Sequence, residues 1–175
     1  MRLLRHAIFK LHYTLIKHIY CQPEYVVLAM LTNEKWFEFW KLRRDHVSNI
    51  TIATNLGISR QAVSKALLAI DGKIETALRT MAKANKISVG KINPQLGILF
   101  GHSVPMDTDA VIFISGKHGV QVWYEHDGDC ETCEEYTECI ELLWDYADEL
   151  NITLSQTADP TKMAEELFVK VKEIA

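Results

Sequence analysis

Asn49–Leu68, NITIATNLGISRQAVSKALL, is the stretch on which the reading of the chain turns, because it has the pattern of two short helices meeting at a tight corner. Helices that cross steeply need a small side chain at the contact, and Ala53 supplies it. The turn between them falls on Gly57, which takes a positive φ without a Cβ clash. Val63 anchors the second helix from its inner face. Ile52, Leu56, Ile58, Ala66 and Leu67 complete an apolar seam at helical spacing. Ser59 stands where an N-cap is needed, its hydroxyl placed to accept a backbone N–H from the next turn. Outside the seam remain Ser59, Arg60, Gln61, Ser64 and Lys65, side chains able to read base edges or grip phosphate. The competing reading of the same pattern is an ordinary two-helix corner with a polar exterior.

Upstream residues extend the pattern. From Leu31-Thr32 through Trp36–Arg44 to Val63, the segment LTNEKWFEFWKLRRDHVSNITIATNLGISRQAV resembles the LuxR-type DNA-binding domain and the related region four of bacterial sigma factors. The matching residues are Leu31, Thr32, Ile52, Ala53, Leu56, Gly57, Ile58, Ser59 and Val63, and the likeness covers about 40 residues. It implies sequence-specific binding of duplex DNA, often as a dimer, in transcription control. This chain departs from the pattern in an aromatic first helix (Trp36, Phe37, Phe39, Trp40). Lys41, Arg43 and Arg44, at the end of that helix, are the candidate contacts to backbone phosphates.

The chain has 175 residues and a formal net charge of −4, yet its charge is divided along its length. Residues 1–95 hold 15 Lys/Arg against 6 Asp/Glu; residues 96–175 hold 4 against 17. Attraction to phosphate fades within a Debye length of about 8–10 Å, so the local sign governs DNA binding and the whole-chain value does not. Four cysteines are too few for a disulfide scaffold, and three lie within ten residues, which fits metal binding in a reducing compartment. No apolar run is long enough to cross a bilayer and no cleavable leader is visible, so the expected location is cytoplasmic.

The expected fold class is mainly α with an α+β C-terminal domain. Residues 1–30 form a basic amphipathic helix and a connector, with Pro23 ending the helix. The helix packs on the protein or a dimer partner, binds an anionic lipid surface, or is an extension ahead of Met30; the three readings stay open. Residues 31–88 are the helix-turn-helix domain, its first helix capped by Thr32 or Asn33. An apolar stripe of Ile70, Ile74, Ala77, Leu78, Met81 and Ala84 continues past the second helix, with Asp71-Gly72 either breaking it or tolerated. That stripe suits a homodimer seam or packing back on the core. Residues 89–95, with Asn93-Pro94, read as a linker. Residues 96–175 form the acidic domain, with strands near Leu96–Phe100, Ala110–Ile114 and Gly119–Glu125 and a hairpin loop at 115–118. A helix follows over Glu134–Leu150, with Tyr136, Ile140, Leu143, Trp144, Ala147 and Leu150 on one side. Asn151–Leu154 reads as a short strand. A last helix begins at Asp159-Pro160, with Met163, Leu167, Phe168, Val171 and Ile174 facing inward.

Cys130, Cys133 and Cys139 have the spacing C-x2-C-x5-C, with His126 four residues ahead. Two thiolates on one tight turn, freed by Gly128, can grasp a tetrahedral ion. The third sulfur and the imidazole complete a closed Cys3His set suited to structural zinc. The spacing is also similar to that of some iron–sulfur proteins, for which Cys21 is the remaining cysteine. The surrounding carboxylates disfavour an anionic centre and leave room for no metal at all, or for a reversible Cys130–Cys133 disulfide. The leading expectation is a DNA-binding regulator with a metal-binding, redox-sensing or oligomerisation domain. The alternative is an interaction module whose acidic domain recruits a basic partner. No catalytic constellation stands out, although His102, Ser103, Asp107 and Asp109 lie close in sequence, so the chain is not expected to be an enzyme.

Overall fold

A computed structural model describes residues 34–127 and 129–175. The amphipathic stretch 1–30, Cys21, the Thr32 or Asn33 cap and Gly128 lie outside the described residues. Three helices open the described chain: α1 (Glu34–Arg44), α2 (Asn49–Leu56) and α3 (Arg60–Ala84). Four strands follow: β1 (Ile87–Asn93), β2 (Ile98–Ser103), β3 (Thr108–Ser115) and β4 (Gly119–Tyr124). A 3-10 turn over Cys130–Thr132 leads to α4 (Tyr136–Glu149) and α5 (Pro160–Ile174). The architecture is α+β.

The four strands form one antiparallel meander in the order β1-β2-β3-β4. Side chains alternate across a strand, so the sheet has two buried faces. Leu99, Ala110, Ile112, Ile114 and Tyr124 join the core shared with α1, α2 and α3. Ile98, Val111 and Phe113 join a second core with α4 and α5. The sheet is therefore the middle of three layers, with the basic helices on one side and the acidic helices on the other.

α3 runs unbroken through Asp71-Gly72 for 25 residues, roughly 37 Å at 1.5 Å per residue. Gly72 is thus a tolerated residue rather than a break. The apolar stripe of α3 (Ile70, Ile74, Leu78, Met81) lies against the sheet within its own chain. This removes it as the dimer seam, since the same side chains cannot also face a second copy. Ala84, expected on that stripe, is exposed, and Ala82 is buried in its place.

Residues 89–95, expected as a linker, are most of β1 and the turn after it. The strand escaped notice because it is an edge: most of its side chains face solvent, and a bulge between Val89 and Lys91 interrupts its register. The halves it was expected to separate share one core. Trp40, fully buried on α1, donates its indole N–H to Gln95 O at 3.0 Å. The Trp40 ring packs against Gly97, where φ is 70° and an added Cβ would stand 2.6 Å from Trp40 Cζ2. Only glycine fits both the backbone turn and the ring.

Other expectations shift locally. The other three strands and the 115–118 turn form near their expected places, but Asn151–Leu154 is not a strand. Leu154 is buried while its neighbours in the loop find no strand to pair with. Asp159 caps α5 and Pro160 occupies its first turn, as expected. Trp144 and Ile174 are largely exposed, because α4 turns Leu142, Leu143, Tyr146 and Ala147 inward and Ile174 lies at the end of α5.

Candidate nucleic-acid interface

The corner between α2 and α3 is built as its residues dictate. Ser48 caps α2 and Ser59 caps α3, each accepting a backbone N–H at 3.1 Å, from Thr51 and Ala62. Gly57 takes the left-handed conformation at φ 63°. Ile58 N–H then returns to Ala53 O at 3.0 Å, closing α2. Ile52, Ala53, Val63 and Leu67 are buried. Leu56 and Ile58, expected in the seam, are instead 48% and 40% exposed. α2 has only eight residues, and of its side chains only Ile52 and Ala53 are buried, so Leu56 overhangs its end.

Arg60, Gln61 and Lys65 stand in solvent on the first turns of α3. Among the described residues neither Arg60 nor Lys65 is in an ion pair. No acidic residue occupies the first turn, so the positive end of the helix dipole and its uncapped N–H groups remain open to an anion. Ser64 is half-buried and pairs with Asn49, whose side-chain amide donates to its Oγ at 3.3 Å. Ser59 has its acceptor committed to the cap, leaving its O–H free to donate.

The basic end of α1 does not serve as expected. Arg44 is buried. Its guanidinium stacks 4.5 Å from the Trp40 ring, donates to Ile114 O at 3.4 Å and meets Glu149 Oε2 at 3.3 Å. Arg43 forms a two-pronged pair with the Asp71 carboxylate, one arm at 3.0 Å. Arg44 faces the acidic helix rather than a duplex, and the charge of Arg43 is spent on α3. Lys41 remains half-exposed, pairing with Glu38 at 2.8 Å. Sequence reading ranked these three by position at a helix end; only contacts across 28 and 105 residues reveal where Arg43 and Arg44 go. Lys83, Lys86 and Lys91 are exposed as well, at the far end of α3 and along β1.

The cysteines share one segment. Cys133 N–H bonds back to Cys130 O at 3.2 Å, closing the turn, and Cys139 lies on the first turns of α4. Burial pushes the Cys139 thiol up to about 12, with further repulsion from Cys133, Glu135 and Cys130. Burial likewise raises Cys130, with Asp159 and Cys133 adding to it while a backbone N–H from Thr161 pulls the other way. His126 is differently engaged: its Nδ1 lies 2.8 Å from Tyr124 O and its ring lies 5.8 Å from that of Trp123. Among the described residues no group of three or more His, Cys, Asp or Glu side chains is arranged to hold a metal ion. The expected Cys3His set is not assembled there.

His102 lies against two carboxylates, with Nδ1 3.1 Å from Asp109 and Nε2 3.5 Å from Asp107. The hydrogen bond with Asp109 raises its pKa above the ordinary histidine value. Ser103, the next residue on β2, is buried on the opposite face, so the two side chains do not meet. Among the described residues no helix is long and apolar enough to cross a membrane. No protein-family model matches the chain, and neither a curated protein nor a solved structure shows significant similarity to it.

Proposed function

We propose that this chain is a sequence-specific DNA-binding transcriptional regulator that reads the major groove with the first turns of α3. One observation carries the reading: Arg60, Gln61 and Lys65 project from a capped helix start, at the corner of a helix-turn-helix, with both cations unpaired among the described residues. Arg60 is placed to pair with a guanine edge and Gln61 with an adenine edge, while Lys65 and the helix N-terminus grip phosphate. The likeness of residues 31–63 to LuxR-type and sigma region-four domains supports the same use. The acidic layer lies across the sheet from α3, which keeps its negative charge away from the duplex. A homodimer is compatible with this reading only through surfaces other than the buried stripe of α3. A zinc ion or iron–sulfur cluster would require Cys130, Cys133 and Cys139 to turn toward one point, which they do not do here; elemental analysis of anaerobically purified protein tests for either.

Selection from a randomised duplex library, followed by titration of the winning site at several salt concentrations, tests the proposal. Enrichment of one sequence, with affinity falling steeply as salt rises, supports it. Binding that shows neither overturns it. A second reading has its own observation: Ile50, Leu56, Ile58 and Leu68 leave an apolar exterior around the corner. On that reading the helix-turn-helix meets protein, and the acidic layer recruits a basic partner.

A further inference from the structure

A groove of about 510 Å³ lies on the acidic side of the sheet, far from the reading corner, between β2, β3, β4 and α5. Its size falls in the range of small-molecule sites. Aromatic walls come from Phe100, Trp123 and Phe168, with the Trp123 and Phe168 rings 6.3 Å apart. The strands expose these residues by alternation: Phe100, Val111 and Trp123 all fall on the face that α5 only partly covers. Around the rim stand Glu125, Asp127 and Glu165, three exposed carboxylates that among the described residues are in no ion pair. Asp109 and Asp159 add two more acids, against Lys162 and Lys172.

One cation of the chain itself lies on a wall of the groove. The Lys172 ammonium rests 5.9 Å above the Phe100 ring, a cation lying on the negative face of an aromatic wall. Among the described residues no lysine or arginine lies over Trp123, a stronger cation–π partner than phenylalanine, whose aromatic neighbours are Phe168 and His126. We propose that this groove binds a small organic cation, an ammonium group on an apolar body. Its head would lie at the Glu125, Asp127 and Glu165 rim and its body against the wall that the touching rings of Trp123 and Phe168 form. The apolar walls favour a body that leaves water, and the uncompensated carboxylates reject an anion of the same shape. The proposal does not depend on DNA binding.

Calorimetric titration of the full chain at low salt with three probes of one shape tests it: phenethylammonium, neutral 2-phenylethanol and anionic phenylacetate. The expected order is phenethylammonium tightest by about tenfold or more over the alcohol, with phenylacetate weakest. The triple variant Glu125→Gln, Asp127→Asn, Glu165→Gln should erase the preference for the cation, and Trp123→Leu should weaken both the amine and the alcohol. All four positions are at least partly exposed, and circular dichroism confirms that the variants fold. Arg60→Ala should leave the three titrations unchanged. Equal binding of the anion, an undiminished preference in the triple variant, or no saturable binding at millimolar probe overturns the proposal. Binding of a lysine-rich peptide but not of phenethylammonium also overturns it, in favour of a protein partner.

Discussion

The two faces of the sheet hold their helices in different ways. On the basic face, α1 and α3 are fixed by a core that runs through Trp40, Ile52, Ile70 and Leu78, and the corner extends beyond it with exposed cations. On the acidic face, α4 and α5 close over Phe113, whose ring lies 4.3 Å from that of Tyr146 on α4, but leave a groove at one end. One buried pair, Arg44 with Glu149, ties the faces together. Charge is segregated by layer, while the two apolar cores are coupled through the sheet they share. A change in the interior should therefore be felt by both layers, and a change at the periphery by one alone.

Trp40→Ala tests that coupling most severely. It removes a fully buried ring, its bond to Gln95 and its packing on Gly97. A loss of about 3–5 kcal/mol is expected, with both layers unfolding in a single transition by urea denaturation followed by circular dichroism and tryptophan fluorescence. Two separated transitions would show the layers to be independent. Arg44→Ala comes next, at about 3 kcal/mol, because it leaves Glu149 without its cation. Glu149 keeps its bonds from the Ser115 hydroxyl and the Gly116 N–H, at 2.7 and 2.9 Å, so the lower end of the range applies. In a double-mutant cycle with Glu149→Gln, additive losses would deny the coupling between faces.

Arg60→Ala should cost about 1–3 kcal/mol of specific DNA affinity while leaving the urea midpoint unchanged, since the side chain is exposed and among the described residues in no ion pair. Gel-shift titration at fixed salt measures it. Unchanged affinity and base preference would remove Arg60 from the reading role.

At the β3–β4 turn, Asp145 meets Lys117 at 2.7 Å and His118 at 2.6 Å. Burial works to raise its pKa, but hydrogen bonds from Lys117 and His118 carry the net shift below the ordinary carboxylate value. A carboxylate held low in the folded state adds stability above its unfolded pKa, near 4, and that stability is lost as the pH falls through the folded value. Asp145→Asn should therefore cost under about 1 kcal/mol at neutral pH, and the difference should shrink toward pH 3. A penalty that persists unchanged in acid would mean the pair contributes through packing. The smallest expected effect is chemical. At pH 8, Cys133, being exposed, should react with a thiol reagent before the half-buried Cys139, whose thiol is pushed up to about 12. Peptide mapping after timed quenching gives the order.

The residues of the reading corner were legible because their contacts are local: Ser59 caps the N–H three residues on, and Gly57 and Ala53 lie four apart. The layered arrangement was not. Trp40 meets its partner 55 residues away, and Arg44 meets Glu149 across 105, distances over which periodicity carries no information. β1 was read as a linker because an edge strand needs no apolar alternation, and the change of charge sign near residue 95 imitated a domain boundary. The groove was invisible for a related reason. Its aromatic walls come from two strands and a helix, each of which, read alone, presents an ordinary core residue.

α3 is one continuous rod of 25 residues, packed along its inner face on α1, α2 and the sheet, while the outer face of its leading turns is open. Such a beam has no joint to absorb motion. A tilt of ~5° at its seated end would sweep the tip through ~3 Å, enough to move Arg60 from one hydrogen-bonding partner to the next. The aim of the tip is therefore set by whatever shims the seat, including side chains that no duplex would ever touch.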